Sequence, residues 1–556
     1  MNKKVCSFPI LFALLALLIG TCAVVFPASA QAAPTSTGSI TVSGTVARSY
    51  DAYQIFSANV VDGDSDAKIA TDLAWASDAV RDAALPVLHS AGMPNSQTTA
   101  QEAAEWLNSD SHLTSALSAQ LARSLQSSGA ELVAFNAGTE AELPCGYWLI
   151  VADDDAIAQG EAGTAPIMAL VGGSAVTVKP KAATPKVSKH VLEDSTAAWQ
   201  KAADATVADD LYWRLSATVP AGLTAYDTYA VRFVDTMSAG LDPSKVAASM
   251  RVYVAAGADG SFDAVSAGKD GRAGTEPAKG WTDITAQCAT KVAADGKTFT
   301  VRTGDLIAAL GGADAFTAGA RVVAVYNAPL NSACNHGIAK GNPNEVYLRY
   351  PRSPFADQSG DAGFTRTPSD DACAYTWDLA LTKRGSDGDK PLAGAVLSIA
   401  DDRGRTLAAD GTWDAEGKAT VTTGEDGRVT VSGVDSGKLE VRELKAPKGY
   451  TAFEGTRSVT VKAEGLDVDQ VAAAKPKLTI TAESPLRADS ADGSTGSLEA
   501  SLINTPTGTP PSITTGGFMP STGDMAMFAA AAAAVAGAAL IVVALLVKRG
   551  GGSHKE

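Results

Sequence analysis

Along residues 39–58 apolar and polar positions alternate. Ile40, Val42 and Gly44 fall on one face with Ser and Thr between them, the period-two pattern of a half-buried strand. Residues 64–126 follow a different rule: they are Ala-rich and set Trp106-Leu107, Leu113, Leu117 and Leu121 at helical spacing. This stretch is read as a helical insertion, with Trp106 in its core. Strand-like runs return at 147–151 and 176–178, and Pro180 and Pro185 with small residues between them mark a linker. A second β-rich block follows, then a third from residue 374, with Asp387-Gly388, Asp410-Gly411 and Asp426-Gly427 as turns between alternating segments. The pattern predicts a mainly β chain of three tandem immunoglobulin-like sandwich domains at 31–180, 181–373 and 374–507, the first carrying the helical insertion. Residues 508–518, rich in Thr, Pro and Gly, read as an extended stalk.

Both ends are apolar. Lys3 and Lys4 precede an uncharged run over 8–26 and the small residues Ala28-Ser29-Ala30, which reads as a secretory signal peptide over 1–30. Residues 525–547 carry no charge and are long enough as a helix for about 30 Å of hydrocarbon, and Lys548-Arg549 follow directly. Just upstream stands Met519-Pro520-Ser521-Thr522-Gly523. The tripartite segment 519–556 resembles the sorting signal of Gram-positive surface proteins, with Met in place of the usual first Leu. The resemblance implies that a sortase cleaves between Thr522 and Gly523 and passes the Thr522 carbonyl to an amine.

The 556 residues carry 61 acidic and 45 basic side chains, a net charge of −16 that disfavours nucleic acid as a partner. Five His without metal-ligand spacing speak against a metal site, and neither a phosphate loop nor a Ser/His/Asp set stands out. Neither an enzyme activity nor a cofactor is expected. Beyond the signal peptide there are four cysteines, Cys145, Cys288, Cys334 and Cys373, and an exported setting permits up to two disulfides in any of three pairings.

Candidate chemistry comes from polar residues placed on inward faces. Period-two reading of residues 379–383 puts Lys383 with Leu379 and Leu381; the same reading puts Glu443 with Leu439 and Val441, and Asn504 with Leu502. Burying any one of them alone is costly, so the three should meet. A neutral Lys383 amine could then attack the Asn504 carboxamide, with the Glu443 carboxyl polarising its carbonyl. Ammonia leaves and a Lys–Asn isopeptide bond remains.

Lys383, Pro391-Leu392-Ala393-Gly394-Ala395, Glu443-Leu444-Lys445-Ala446-Pro447-Lys448-Gly449-Tyr450 and Asn504-Thr505-Pro506 together resemble the collagen-adhesin B-type domain of sortase-assembled pilins. Ala52-Tyr53-Gln54-Ile55-Phe56 resembles the same family's first domain. The second block is similar to the pilins' middle domain in Lys189, in Asp235-Thr236-Met237-Ser238-Ala239-Gly240-Leu241 and in residues 341–348. The family's closing Asn is expected at the inward position two residues beyond Tyr350, where this chain has Arg352. The expectation is therefore no cross-link in this domain, with Asp235 ion-paired to Lys189 or Arg352 and a disulfide supplying part of the reinforcement. Residues 176–181, ending Lys179-Pro180-Lys181, resemble the pilin motif, which implies Lys181 as the amine that attacks Thr522 of another subunit. Lys179 and Lys186 are the alternatives.

The resemblance implies a structural backbone subunit of a wall-anchored pilus, with a sortase, further pilin subunits and peptidoglycan as partners. The alternative is a wall-anchored adhesin or ancillary pilin, at the tip or base, that binds host surface ligands without forming the shaft.

Overall fold

The strand Gly437–Lys445 buries Leu439, Val441 and Glu443 and exposes Lys438, Glu440 and Arg442, and most long strands of the chain alternate in this way. The computed structural model describes residues 36–44, 49–64, 67–109, 112–180, 184–221, 223–257 and 280–508. The signal peptide, Lys181, most of the stalk, residues 519–523 and the apolar segment 525–547 lie outside the described residues. Among the described residues no helix is long and apolar enough to cross a membrane.

Among the described residues six sheets form three sandwich units in chain order. In the first, Thr37–Val42 lies between Glu140–Pro144 and Val176–Val178, and a five-stranded sheet is built around Ser49–Asp62. Three helices, Asp78–Ser90, Ala100–Asn108 and Ser115–Ser128, bridge two of its strands. Each begins on a side-chain cap, Ser77, Thr99 or Thr114, and Thr99 with Glu102 forms a reciprocal capping box. The insertion is shorter than the sequence pattern suggests. Lys68–Trp75 is a strand paired antiparallel with Ser49–Asp62, so helix begins only after Ser77. Trp106 is half-buried and stacks on His112 with ring centroids 4.2 Å apart.

The second unit packs a six-stranded sheet against a seven-stranded one around Trp213, Leu215, Phe233, Phe299, Val346 and Leu348. Side chains of this size contribute roughly 1.5–3 kcal/mol each when fully buried. In the third unit the first and last strands, Trp377–Gly385 and Ser497–Pro506, are parallel neighbours, with Lys383 opposite Leu502 and Gly385 opposite Asn504. Its second sheet runs through Val396–Ala400, Gly437–Lys445 and Thr456–Glu464.

The four cysteines are all free, which corrects the expectation of disulfides at Cys145, Cys288, Cys334 and Cys373. Each is satisfied where it stands. Cys145 packs in the first unit, the Cys288 thiol donates to the Ile284 carbonyl, Cys334 lies 3.5 Å from His336 Nε2 and Cys373 donates to the Ala374 carbonyl.

The second and third units meet closely. Gly337 and Gly496 both adopt positive φ, and a Cβ on Gly337 would sit 2.5 Å from the Gly496 nitrogen, so neither tolerates a side chain. Buried Asp204 accepts from Trp377 Nε1 at 2.7 Å and from the Ser436 amide at 2.9 Å. Around it gather Glu193, Asp194 and Asp435, with Arg403 3.7 Å from Asp194 and bound, like Arg405, to Asp209. Burial, then neighbouring Asp204, pushes Glu193 up to about 7, and burial with the surrounding carboxylates raises Asp435 well above its ordinary value. Acids that hold their protons longer when folded stabilise fully below the unfolded carboxyl range, and that contribution is lost as pH rises through the folded value. Glu193→Gln should therefore reduce the fall in melting temperature between pH 5 and pH 8. Thermal denaturation of both proteins at the two pH values checks this, and parallel pH profiles would contradict it.

Candidate functional site

The third unit brings Lys383, Glu443 and Asn504 together at 0, 6 and 2 % exposure. Lys383 Nζ lies 3.4 Å from Glu443 Oε1 and donates to the Leu502 carbonyl at 3.3 Å. Asn504 Nδ2 donates to the same Glu443 Oε1 at 2.9 Å, while Oε2 accepts from the Phe453 amide. The carboxyl thus faces the carboxamide nitrogen, the atom that would leave, rather than the carbonyl oxygen expected from the sequence. Burial, opposed by Glu443, brings the Lys383 amine down to about 8, so its neutral, nucleophilic form is accessible near neutral pH. One carboxylate oxygen therefore lies against both the lysine amine and the carboxamide nitrogen.

The second unit holds a comparable set in which Arg352 has no part. Arg352 lies beyond the end of Asn342–Pro351, part-exposed and 3.7 Å from Asp155 at the seam with the first unit, where its carbonyl accepts from Gly163. The asparagine that shares a hydrogen-bond partner with the lysine is Asn344, fully buried. Within Asn342–Pro351 the even-numbered residues point inward, and pairing of Asp235 with Val346 and of Met237 with Asn344 sets Asn344 beside Asp235. Lys189 comes from the opposite sheet, on Val187–Glu193. Its Nζ is ion-paired to Asp235 Oδ2 and donates to Tyr326 Oη at 2.9 Å. Asn344 Nδ2 donates to the same phenol at 2.8 Å, and the phenol donates to Asp235 Oδ2 at 3.1 Å. Burial lowers Lys189 to about 8 against the pull of Asp235, and burial raises Asp235. The period-two rule that singled out Lys383 would have found Asn344, since it shares a face with Val346 and Leu348. Tyr326 carried no comparable signal in the sequence.

Lys181 and residues 519–523 are outside the described residues. Lys179, just after the strand Val176–Val178, and Lys186, just before Val187–Glu193, are both exposed. Among the described residues no group of His, Cys, Asp and Glu is arranged to hold a metal.

Two sandwich units of this mainly β chain thus each bury a lysine, an acid and an asparagine between their strands. Residues 378–475 match the family model described as SpaA, prealbumin-like fold domain. Over 143 residues the chain is 30% identical to the trypsin-resistant surface T6 protein of Streptococcus pyogenes serotype M6, a match covering 24% of this chain and 24% of that relative's length. These two findings support the resemblance to sortase-assembled pilins. Among solved structures, the chain is similar to the T6 backbone pilin of serotype M6 Streptococcus pyogenes (16% identity, 85% of this chain and 99% of that one, TM-score 0.47). It is also similar to the full-length major pilin SpaD of Corynebacterium diphtheriae (16% identity, 86% and 100%, TM-score 0.41).

Proposed function

We propose that this chain is the backbone subunit of a covalently polymerised pilus anchored to a Gram-positive cell wall, acting as a structural protein rather than an enzyme. The observation that carries the reading is the buried Lys383–Glu443–Asn504 set, with the lysine and asparagine on the neighbouring first and last strands of one sandwich and the acid on its other sheet. An isopeptide bond from Lys383 to Asn504 ties the first strand of the third domain to its last. Tension entering at one end then passes through a covalent bond instead of peeling the sheet. In the second domain, Lys189 and Asn344 form the corresponding pair, joining the two sheets of the sandwich.

Polymerisation is the sortase's work: cleavage after Thr522 and transfer of its carbonyl to Lys181 of another subunit, with peptidoglycan receiving the last one. Lys179 and Lys186, exposed on either side, are the alternative amines. The test is an immunoblot of boiled, SDS-treated cell-wall extracts from cells carrying the native chain or Lys181→Ala. A high-mass ladder that collapses to monomer in the variant is the expected outcome. A ladder that survives moves the nucleophile to Lys179 or Lys186, and no ladder in either strain favours a singly anchored adhesin.

A further inference from the structure

We propose that Tyr326 is a catalytic residue of the second domain's cross-link, relaying a proton between Asp235 and the departing nitrogen of Asn344. This inference rests on the reading of Lys189 and Asn344 as a cross-linking pair. Its basis is a difference between the two sets. In the third domain Glu443 Oε1 reaches both Lys383 Nζ (3.4 Å) and Asn504 Nδ2 (2.9 Å). In the second, the acid is shorter by one methylene. Asp235 Oδ2 is engaged by Lys189 and Tyr326, its Oδ1 has no hydrogen-bond partner, and the Asn344 nitrogen bonds to the phenol instead. Tyr326 Oη thus fills the gap between acid and carboxamide.

The phenol's hydrogen-bonding capacity is fully used: it donates to Asp235 and accepts from Lys189 and Asn344. The ring is completely buried and held edge-on against Phe299, with centroids 4.8 Å apart, so the hydroxyl has a fixed position. Burial and the adjacent carboxylate raise its pKa well above the ordinary phenol value, which keeps a proton on the oxygen.

The step balances without any added reactant. Neutral Lys189 and protonated Asp235 are the same pair as ammonium and carboxylate with one proton moved. Nζ forms a bond to the Asn344 carboxamide carbon, and the attack localises a lone pair on Nδ2 that amide resonance had withheld. The Tyr326 hydrogen bond then reverses: the phenol gives its proton to Nδ2 and takes one from Asp235. The C–Nδ2 bond breaks, ammonia leaves, and Nζ gives its surplus proton to Asp235, so that Asp235 and Tyr326 end as they began.

The test follows both cross-links in the full chain during cell-free synthesis, by mass mapping of the two linked peptides, each lighter by one ammonia. Tyr326→Phe should leave the Lys383–Asn504 link at its native rate and slow the Lys189–Asn344 link by roughly 10²-fold or more, the usual scale of general acid catalysis. Tyr326→Phe combined with Asp235→Glu should restore the second-domain link, because the longer acid reaches Nδ2 as Glu443 does. Phe also leaves room for the added methylene. A purely structural tyrosine would not be rescued in this way. A native rate in Tyr326→Phe overturns the relay, and so does failure of the double variant to recover. Absence of the second-domain link from the native chain is a separate result, which overturns the Lys189–Asn344 reading and the relay with it.

Discussion

Asn504→Ala should lower the melting temperature of the third domain by on the order of 15 °C while leaving its fold intact. The substitution spares Lys383 and Glu443, which keep each other's charge satisfied at 3.4 Å, so the loss reports the cross-link rather than an orphaned buried ion. The link closes a loop of roughly 120 residues. By analogy with a disulfide of that span, removing it frees the unfolded chain at a cost of roughly 5 kcal/mol. In a domain of this size each kcal/mol corresponds to a few degrees. Differential scanning calorimetry of the two proteins measures the shift, and an unchanged transition for this domain would contradict the cross-link.

Lys189→Ala should be more damaging than Asn344→Ala in the second domain, although both abolish the same bond. Asn344→Ala leaves Lys189 paired with Asp235 and Tyr326. Lys189→Ala strands a carboxyl at 0 % exposure, which must then take up a proton or remain charged without a cation. Breaking a buried pair from one side costs roughly 3–5 kcal/mol beyond the lost link. Whole domains are stable by only about 5–15 kcal/mol, so this variant should approach the unfolding threshold. Limited trypsin digestion should cut the second domain of Lys189→Ala well before that of Asn344→Ala. Equal resistance in the two variants would mean that the ion pair contributes little.

Much of this was legible because strands encode their faces. Period-two reading placed Lys383, Glu443 and Asn504 on one core with no knowledge of their partners, and the structure brings all three into contact. The same rule applied to residues 342–350 points to Asn344. The resemblance instead sets the family's closing Asn two residues beyond Tyr350, at Arg352, which has the inward parity but follows Pro351, where the strand has stopped. Residues 68–75 fall within the Ala-rich stretch read as helical for another reason: the pairing that makes them a strand is with Ser49–Asp62, which neither composition nor periodicity sees. The acids around Asp204 were out of reach altogether. Glu193 and Asp435 lie far apart in sequence and meet only because two domains abut.

The most direct measurement is peptide-mapped mass spectrometry of the purified full chain. The account predicts two losses of ammonia, one in a branched peptide joining Lys383 to Asn504 and one in a branched peptide joining Lys189 to Asn344. Linear peptides of full sequence mass at all four residues would contradict it.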